Sequence, residues 1–326
     1  MKGLVTGANG FVGAHLVRDL LGAGWDVRAM MRRTSDRIRL EGLKPEVVHA
    51  DLLDAASLPA AVAGVDVVFH VAGAIAAADA AGFDQVNRDG TANLVRAVTT
   101  SDAPPRHFVH VSSLAAAGPS GGDAPVRDGA PPRPVSAYGR SKLAAEGALD
   151  PLDGRAAITI VRPPSVYGSG DNATLELYRS VQRRLILAQT GRERRMSFIH
   201  AHDLARGLRL AGERPPSGRR VVYLAGPEDA SLAEFQRRIA RVLGVRAFEV
   251  PIPDAVLRVA GVAVDALKRW TGFTHAFGRD KVVEGLERGW LVSNDLAGRE
   301  LGYAPQVGFD EGIREALAWY RSHGWV

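Results

Sequence analysis

The 326-residue chain contains no cysteine. That absence removes disulfides, thiolate nucleophiles and cysteine-ligated zinc or iron–sulfur centres together, so its chemistry must come from oxygen and nitrogen groups or from a cofactor. It leaves the redox compartment open. Aromatic residues make up 6% of the chain, and no apolar stretch reaches the ~20 residues needed to span a bilayer. Met1-Lys2 runs straight into a strand pattern, so no secretory leader is expected and the cytoplasm is the expected compartment. The net charge of +5 comes from arginines scattered along the sequence. Their clusters at Arg183-Arg184, Arg192 to Arg195 and Arg219-Arg220 lack interleaved aromatics, and no nucleic-acid partner is expected. With 46% hydrophobic and 24% charged residues, the chain has the balance of a folded globular protein large enough for one α/β domain and a smaller companion.

What is present is a regular alternation. Short β-branched runs at 3–6, 26–31, 47–49, 65–71, 107–112 and 157–161 predict strands, and the segments 11–21, 55–62, 83–99 and 136–149 predict helices. Strands alternating with helices imply a doubly wound parallel sheet of Rossmann type. The proline- and glycine-rich stretch from Pro119 to Pro134 reads as a surface loop. Beyond Pro163 the alternation fails, and helices such as 232–242 and 310–322 predict a smaller, mostly helical C-terminal substrate lobe. Residues 1–165 with roughly 195–225 are assigned to the nucleotide-binding domain, and roughly 166–194 with 226–326 to the lobe.

Gly7, Gly10 and Gly13 fall between the first strand and the first helix, where missing side chains let the backbone turn tightly and approach a pyrophosphate at a helix N-terminus. The end of the second strand selects the dinucleotide. An acid there suits the ribose hydroxyls of NAD, whereas guanidinium groups suit the extra phosphate of NADP. This chain has Arg32-Arg33, so NADP is expected, with NAD as the alternative. Asp51 closes the third strand, as an adenine contact or as a simple helix cap, and His70-Val-Ala-Gly73 closes the fourth. Tyr138 and Lys142 stand four apart on a predicted helix, a spacing that shares one face. A fixed cation beside a phenol favours its ionised form, which makes the pair a candidate for proton transfer.

The ordered set Thr6 to Gly13, Asp51-Leu52, His70 to Gly73, Asn87 to Thr91, Val111-Ser-Ser113, Tyr138-Gly-Arg-Ser-Lys142, Arg162-Pro-Pro-Ser-Val-Tyr-Gly168 and Phe198-Ile-His200 resembles the extended short-chain dehydrogenase/reductase superfamily over nearly the whole chain. Val27 to Arg32 is most similar to dihydroflavonol reductase and 3β-hydroxysteroid dehydrogenase members. The resemblance implies catalysis by Ser113, Tyr138 and Lys142. Tyr138 would exchange a proton with the substrate oxygen, Lys142 would hold the nicotinamide ribose and lower the phenol's pKa, and Ser113 would bind the reacting oxygen. Ser113 is chosen over Ser112 because its spacing to Tyr138 matches the family. Cofactor contacts are implied for Gly7, Asn9, Gly10, Phe11, Val12, Gly13, Arg32, Arg33, Asp51, Leu52, Val71, Ala72, Gly73, Tyr138, Lys142, Pro163 and Ser165. Asn87 would anchor a relay water or simply bond nearby backbone. A homodimer is compatible with the family.

Departures narrow the reaction. The family's dehydratases place an acid beside the active-site serine or threonine, whereas Ser113 is flanked by Ser112 and Leu114. Its epimerases place an arginine four residues before the His200 position, whereas this chain has Met196 next to Arg195. The expected activity is therefore NADP(H)-dependent hydride transfer between nicotinamide and a ketone or secondary alcohol of a small, apolar substrate. Sugar-nucleotide epimerisation and non-catalytic NADP sensing are the alternatives. The segment 256–267, rich in Val, Ala and Leu, is an amphipathic helix that forms either a greasy substrate wall, a membrane-surface entry, or plain packing. His200-Ala-His202-Asp203 is assigned to the substrate lobe, and no metal is expected.

Overall fold

The computed structural model describes residues 1–191, 193–271 and 278–326, with the side chains of 268–271 left aside. Arg192 of one basic cluster and the Lys268 side chain lie outside the described residues. The first half builds β1 (Lys2–Thr6), α1 (Phe11–Gly22), β2 (Asp26–Met31), β3 (Glu46–His49), α2 (Leu58–Val62), β4 (Val67–His70), α3 (Ala80–Asp84), α4 (Gly90–Thr99), β5 (His107–Val111), α5 (Leu114–Ala117), α6 (Ala137–Gly147) and β6 (Ala157–Arg162). The second half adds β7 (Ser165–Tyr167), α7 (Leu175–Gln182), β8 (Leu185–Gln189), β9 (Arg195–His200), α8 (Ala201–Glu213), β10 (Arg219–Tyr223), β11 (Asp229–Ser231), α9 (Leu232–Leu243), β12 (Phe248–Ile252), α10 (Asp254–Thr271), α11 (Arg279–Gly285), β13 (Gly289–Trp290), α12 (Asp295–Leu301) and α13 (Phe309–Ser322).

Seven parallel strands form the main sheet in the order β10-β6-β5-β4-β1-β2-β3. β4 and β5 are buried on both faces, which is why their sequences read as apolar runs without alternation. Winding reverses between β1 and β4, so the crevice at their C-terminal ends is where this fold receives ligands. The expected helix 83–99 is instead three pieces, α3, a π turn over Gln85–Asp89, and α4. The widened turn carries Asn87, which is 2% exposed, so a polar residue is buried where a regular helix period was read.

The lobe is less helical than its sequence suggests. A four-stranded sheet runs β11-β9-β13 with β7 pairing β9, and β8 pairs β12 in parallel. These strands are two to six residues long, too short to show a period. Within 195–225, β10 joins the main sheet and α8 packs on α1, while β9 pairs β7, β11 and β13 in the smaller sheet. Tyr167, Phe198, Phe235 and Phe309 centre the lobe's core, with Phe198 stacked on Phe235 at 4.8 Å. α10 turns Gly261 inward, where a Cβ would meet Val282 of α11 at 2.9 Å, and leaves Val256, Val259, Val262 and Leu267 exposed.

Candidate active site

The glycine turn is built by close backbone approach. Gly7 has φ +65°, and a Cβ there would lie 2.9 Å from Ala72 Cα. A Cβ on Gly13 would stand 2.1 Å from the Gly7 carbonyl oxygen. α1 begins at Gly10 with no side-chain cap and no acid in its first turn, so its N-terminal amides face the crevice without a competing anion. That arrangement fits a bound pyrophosphate. Asn9, Phe11 and Val12 complete the turn, and Val71, Ala72 and Gly73 form the opposite lip. Both Val71 and Ala72 donate their amides to Thr6 Oγ1 at 3.1 Å.

A chain of hydrogen bonds runs behind this lip. Thr6 Oγ1 and His70 Nδ1 are 2.8 Å apart, His70 Nε2 is 2.9 Å from Thr91 Oγ1, and Thr91 donates to the Asn87 carbonyl. With Thr6 donating, His70 carries its proton on Nε2. Burial, reinforced by Lys142, lowers His70 to about 3, so it stays neutral and packs β1 against β4 and α4. Asn87 spends its side chain on both backbone groups of Ala74 and on Ser141 Oγ, which favours its structural reading over a relay water.

Three elements bring the chemistry to this lip. Lys142, on α6, donates to the Val111 carbonyl at the end of β5 at 2.8 Å and lies beside Gly73. Its ammonium is lowered to about 8 by burial, against the opposing pull of Glu146. Ser113 caps α5, accepting from the Ala115 amide at 3.1 Å. Ser112 instead donates to Glu146 Oε1 at 2.5 Å. The neighbouring serines thus part, Ser113 to the cap of α5 and Ser112 into the core. Burial raises the Tyr138 phenol above its ordinary value, offset in part by Lys281 and by Ser113. Lys142 is directed at Val111, and the cation over the phenol ring is Lys281 at 5.3 Å.

Other expected contacts are distributed around the same crevice. Arg32 and Arg33 follow β2 and are exposed. One Asp51 oxygen accepts from the Leu53 amide at 3.0 Å, the local turn bond that its alternative reading anticipates. Leu52 packs under Gly90. The Pro163 carbonyl accepts from Leu114 at 2.8 Å, and Ser165 lies on β7 with its hydroxyl 3.9 Å from Met196 Sδ. Arg195 reaches the opposite way, to the Asp229 carbonyl at 3.1 Å, as adjacent residues on a strand must. It does not substitute for an arginine at position 196.

Sequence reasoning passed over the support behind Lys142. Glu146, one turn further along the same helix, forms a buried bidentate pair with Arg162, at 2.9 and 2.6 Å, and Arg162 also reaches Tyr223. The i, i+4 spacing from Lys142 to Glu146 was the available signal. Gly139 was missed too, although a Cβ there would strike the Ala115 carbonyl oxygen at 2.3 Å. His200, His202 and Glu315 converge with their ligating atoms within 4.8 Å of one another. His200 Nδ1 accepts from the His202 amide, so its proton sits on Nε2, 3.5 Å from Glu315 Oε2. The three side chains lie between the start of α8 and α13.

A doubly wound sheet with an uncapped glycine turn at its switch point, faced by serine, tyrosine and lysine, defines a dinucleotide-dependent enzyme. Residues 3–226 match the NAD dependent epimerase/dehydratase family. The chain belongs to that family and is an NAD(P)-dependent oxidoreductase of the extended short-chain type. It is 34% identical to the "Ceramide reductase" of Caulobacter vibrioides, over 99% of this chain and 95% of that protein. It is 30% identical to the "3 beta-hydroxysteroid dehydrogenase/Delta 5-->4-isomerase" of Mycobacterium tuberculosis, over 98% and 90%. The solved structure of gox2253 superposes with a TM-score of 0.82 at 28% identity, over 99% of both chains. Among the described residues no helix is long and apolar enough to cross a membrane.

Proposed function

We propose that the protein is an NADPH-dependent reductase of an apolar, lipid-like ketone, running in reverse as a secondary-alcohol dehydrogenase. The observation that carries the reading is the Tyr138/Lys142 face of α6, which sets Lys142 beside Gly73 at the lip of the crevice, with Ser113 at the cap of the neighbouring α5. The nicotinamide would supply or accept the hydride. Tyr138, neutral because burial raises it, is in the state needed to give its proton to a carbonyl oxygen. Ser113 donates to the same oxygen as negative charge develops, and Lys142 holds the ribose.

Arg32 and Arg33, exposed beyond β2, support NADP over NAD, since each can form charge-assisted bonds to a phosphate monoester. Two lines support an apolar substrate. The relatives carry names for ceramide and steroid chemistry, and the lobe presents the bare faces of Val256, Val259 and Val262. Sugar-nucleotide epimerisation, which the family description raises, is disfavoured by Met196 and by the outward course of Arg195. The reading extends to a cytoplasmic homodimer paired through α6 and its neighbour, which light scattering tests. The decisive experiment follows NADPH oxidation across long-chain keto-lipids, 3-ketosteroids, flavanonols and 4-keto sugar nucleotides. Turnover of an apolar ketone is expected. Turnover confined to the sugar nucleotide would replace this reading with the epimerase one.

A further inference from the structure

The catalytic helix is capped from two directions. Ser136 holds the N-cap position of α6 and accepts from the Gly139 amide at 2.9 Å, as a local cap does. The two preceding amides are satisfied from the substrate lobe. Ala137 and Tyr138 donate to the two oxygens of Asp280 on α11, at 2.6 and 3.1 Å. The Ser136 hydroxyl donates to Glu284 Oε1 at 2.5 Å, and Glu284 is 9% exposed. A carboxylate at this end also complements the helix dipole.

Capping explains Asp280 and Glu284 but not the residue between them. Lys281 Nζ lies 2.7 Å from Glu284 Oε2 and 5.3 Å from the centroid of the Tyr138 ring. Its side chain is 43% exposed, yet its ammonium is laid across the ring of Tyr138. The charged groups around the phenol are Lys281, Asp280 and Glu284 from α11 and Lys142 from its own helix. The β5–α5 junction adds the Ser113 hydroxyl, and α3 adds the ring of Phe83 at 5.8 Å. Of these, Lys281 pulls the phenol down while Glu284 opposes it. Burial alone would lower the Lys281 ammonium, but Glu284, Tyr138 and Asp280 together hold it above its ordinary value, so it is charged.

We propose that Lys281 is a positioning residue for proton transfer: anchored by Glu284, it holds a positive charge against the Tyr138 ring and, with Asp280, completes the acid/base group only when α11 of the substrate lobe is seated on α6. The proposal rests on Tyr138 being the proton-transfer group. Lys142 stands on the cofactor side, beside Gly73, and Lys281 lies over the phenol ring from the side of α11.

The test needs no substrate in its first arm. The alkaline ultraviolet titration of Tyr138 is isolated by subtracting Tyr138→Phe, in the wild type, Lys281→Met and Lys281→Arg backgrounds. Lys281→Met is expected to move the Tyr138 transition to higher pH, and Lys281→Arg to leave it in place. In the second arm, the alcohol corresponding to the most rapidly reduced ketone is oxidised. Lys281→Met should lose about tenfold in kcat/KM near neutral pH and recover as pH rises, with an unchanged Kd for NADPH. Lys281→Gln carries the same comparison if Lys281→Met does not fold. An unmoved transition in Lys281→Met, or an equal displacement in Lys281→Arg, overturns the proposal. Full activity in Tyr138→Phe would instead overturn the functional reading, and the proposal with it. An inactive Tyr138→Phe with an unmoved transition removes Lys281 alone.

Discussion

The cofactor side and the substrate side of the crevice are held by different physics. On the cofactor side, Gly7, Gly13 and Ala72 pack backbone on backbone, and Thr6, His70 and Thr91 lock the strands behind them. Neither Gly7 nor Gly13 can gain a methyl without moving main chain. On the substrate side, α11 meets α6 through carboxylate and ammonium contacts, and α10 leaves Val259 70% and Val262 54% exposed. Polar contacts at a helix end permit small displacements that interlocked backbone does not. The dinucleotide half is thus built to receive one invariant ligand, while the lobe can differ in what it admits without disturbing the hydride-transfer geometry.

The strongest way to sharpen this contrast is to remove chemistry without touching either framework. Tyr138→Phe should lower kcat by about a thousandfold, with NADPH affinity and melting temperature unchanged, as measured by steady-state kinetics, fluorescence titration and thermal unfolding. Loss of NADPH binding in that variant would mean that the phenol belongs to the cofactor frame. Gly13→Ala should act the opposite way. Its Cβ meets the Gly7 carbonyl, so cofactor binding should fail and unfolding in urea should show a loss of about 1–3 kcal/mol. A stable, cofactor-competent Gly13→Ala would break the claim that the turn has no slack. Arg32→Ala should weaken NADPH by about tenfold and leave NADH unaltered, because the lost bonds are to the phosphate that only NADPH carries.

The same contrast governs what could be read in advance. Gly7, Gly10, Gly13 and their strand and helix lie within one short segment, so local spacing carried the cofactor turn. Tyr138 and Lys142 share a helix face for the same reason. The six strands of the first half and the order of their helices were legible because long apolar runs alternate with helical periods. The lobe's strands were not, since two or three residues such as Gly289 and Trp290 pair only because β9 is placed beside them. The π turn at Asn87 was hidden because an inserted residue leaves the helical composition intact. Asp280, Lys281 and Glu284 are over 140 residues from the amides and ring they serve, and nothing in their own segment distinguishes them from a solvated helix face. The placement of Lys281 over the Tyr138 ring was hidden on the same account, because it is a product of tertiary docking.

The smallest effect expected on stability tests the substrate side itself. Val259 stands on the open face of α10, so Val259→Asp removes no packed contact and should change unfolding free energy by no more than about 0.5 kcal/mol. If this face is a wall or an approach for an apolar substrate, the charge should raise KM for a long-chain or steroidal ketone several-fold. KM for a short, water-soluble ketone should stay fixed, and so should kcat for both. A variant that unfolds would show that Val259 is packed and that the lobe is as closely fitted as the glycine turn. One that leaves every KM unchanged would place the substrate's apolar contacts elsewhere in the lobe. The split between KM for long and short ketones therefore reports directly whether the loosely held half of the molecule is the half that selects.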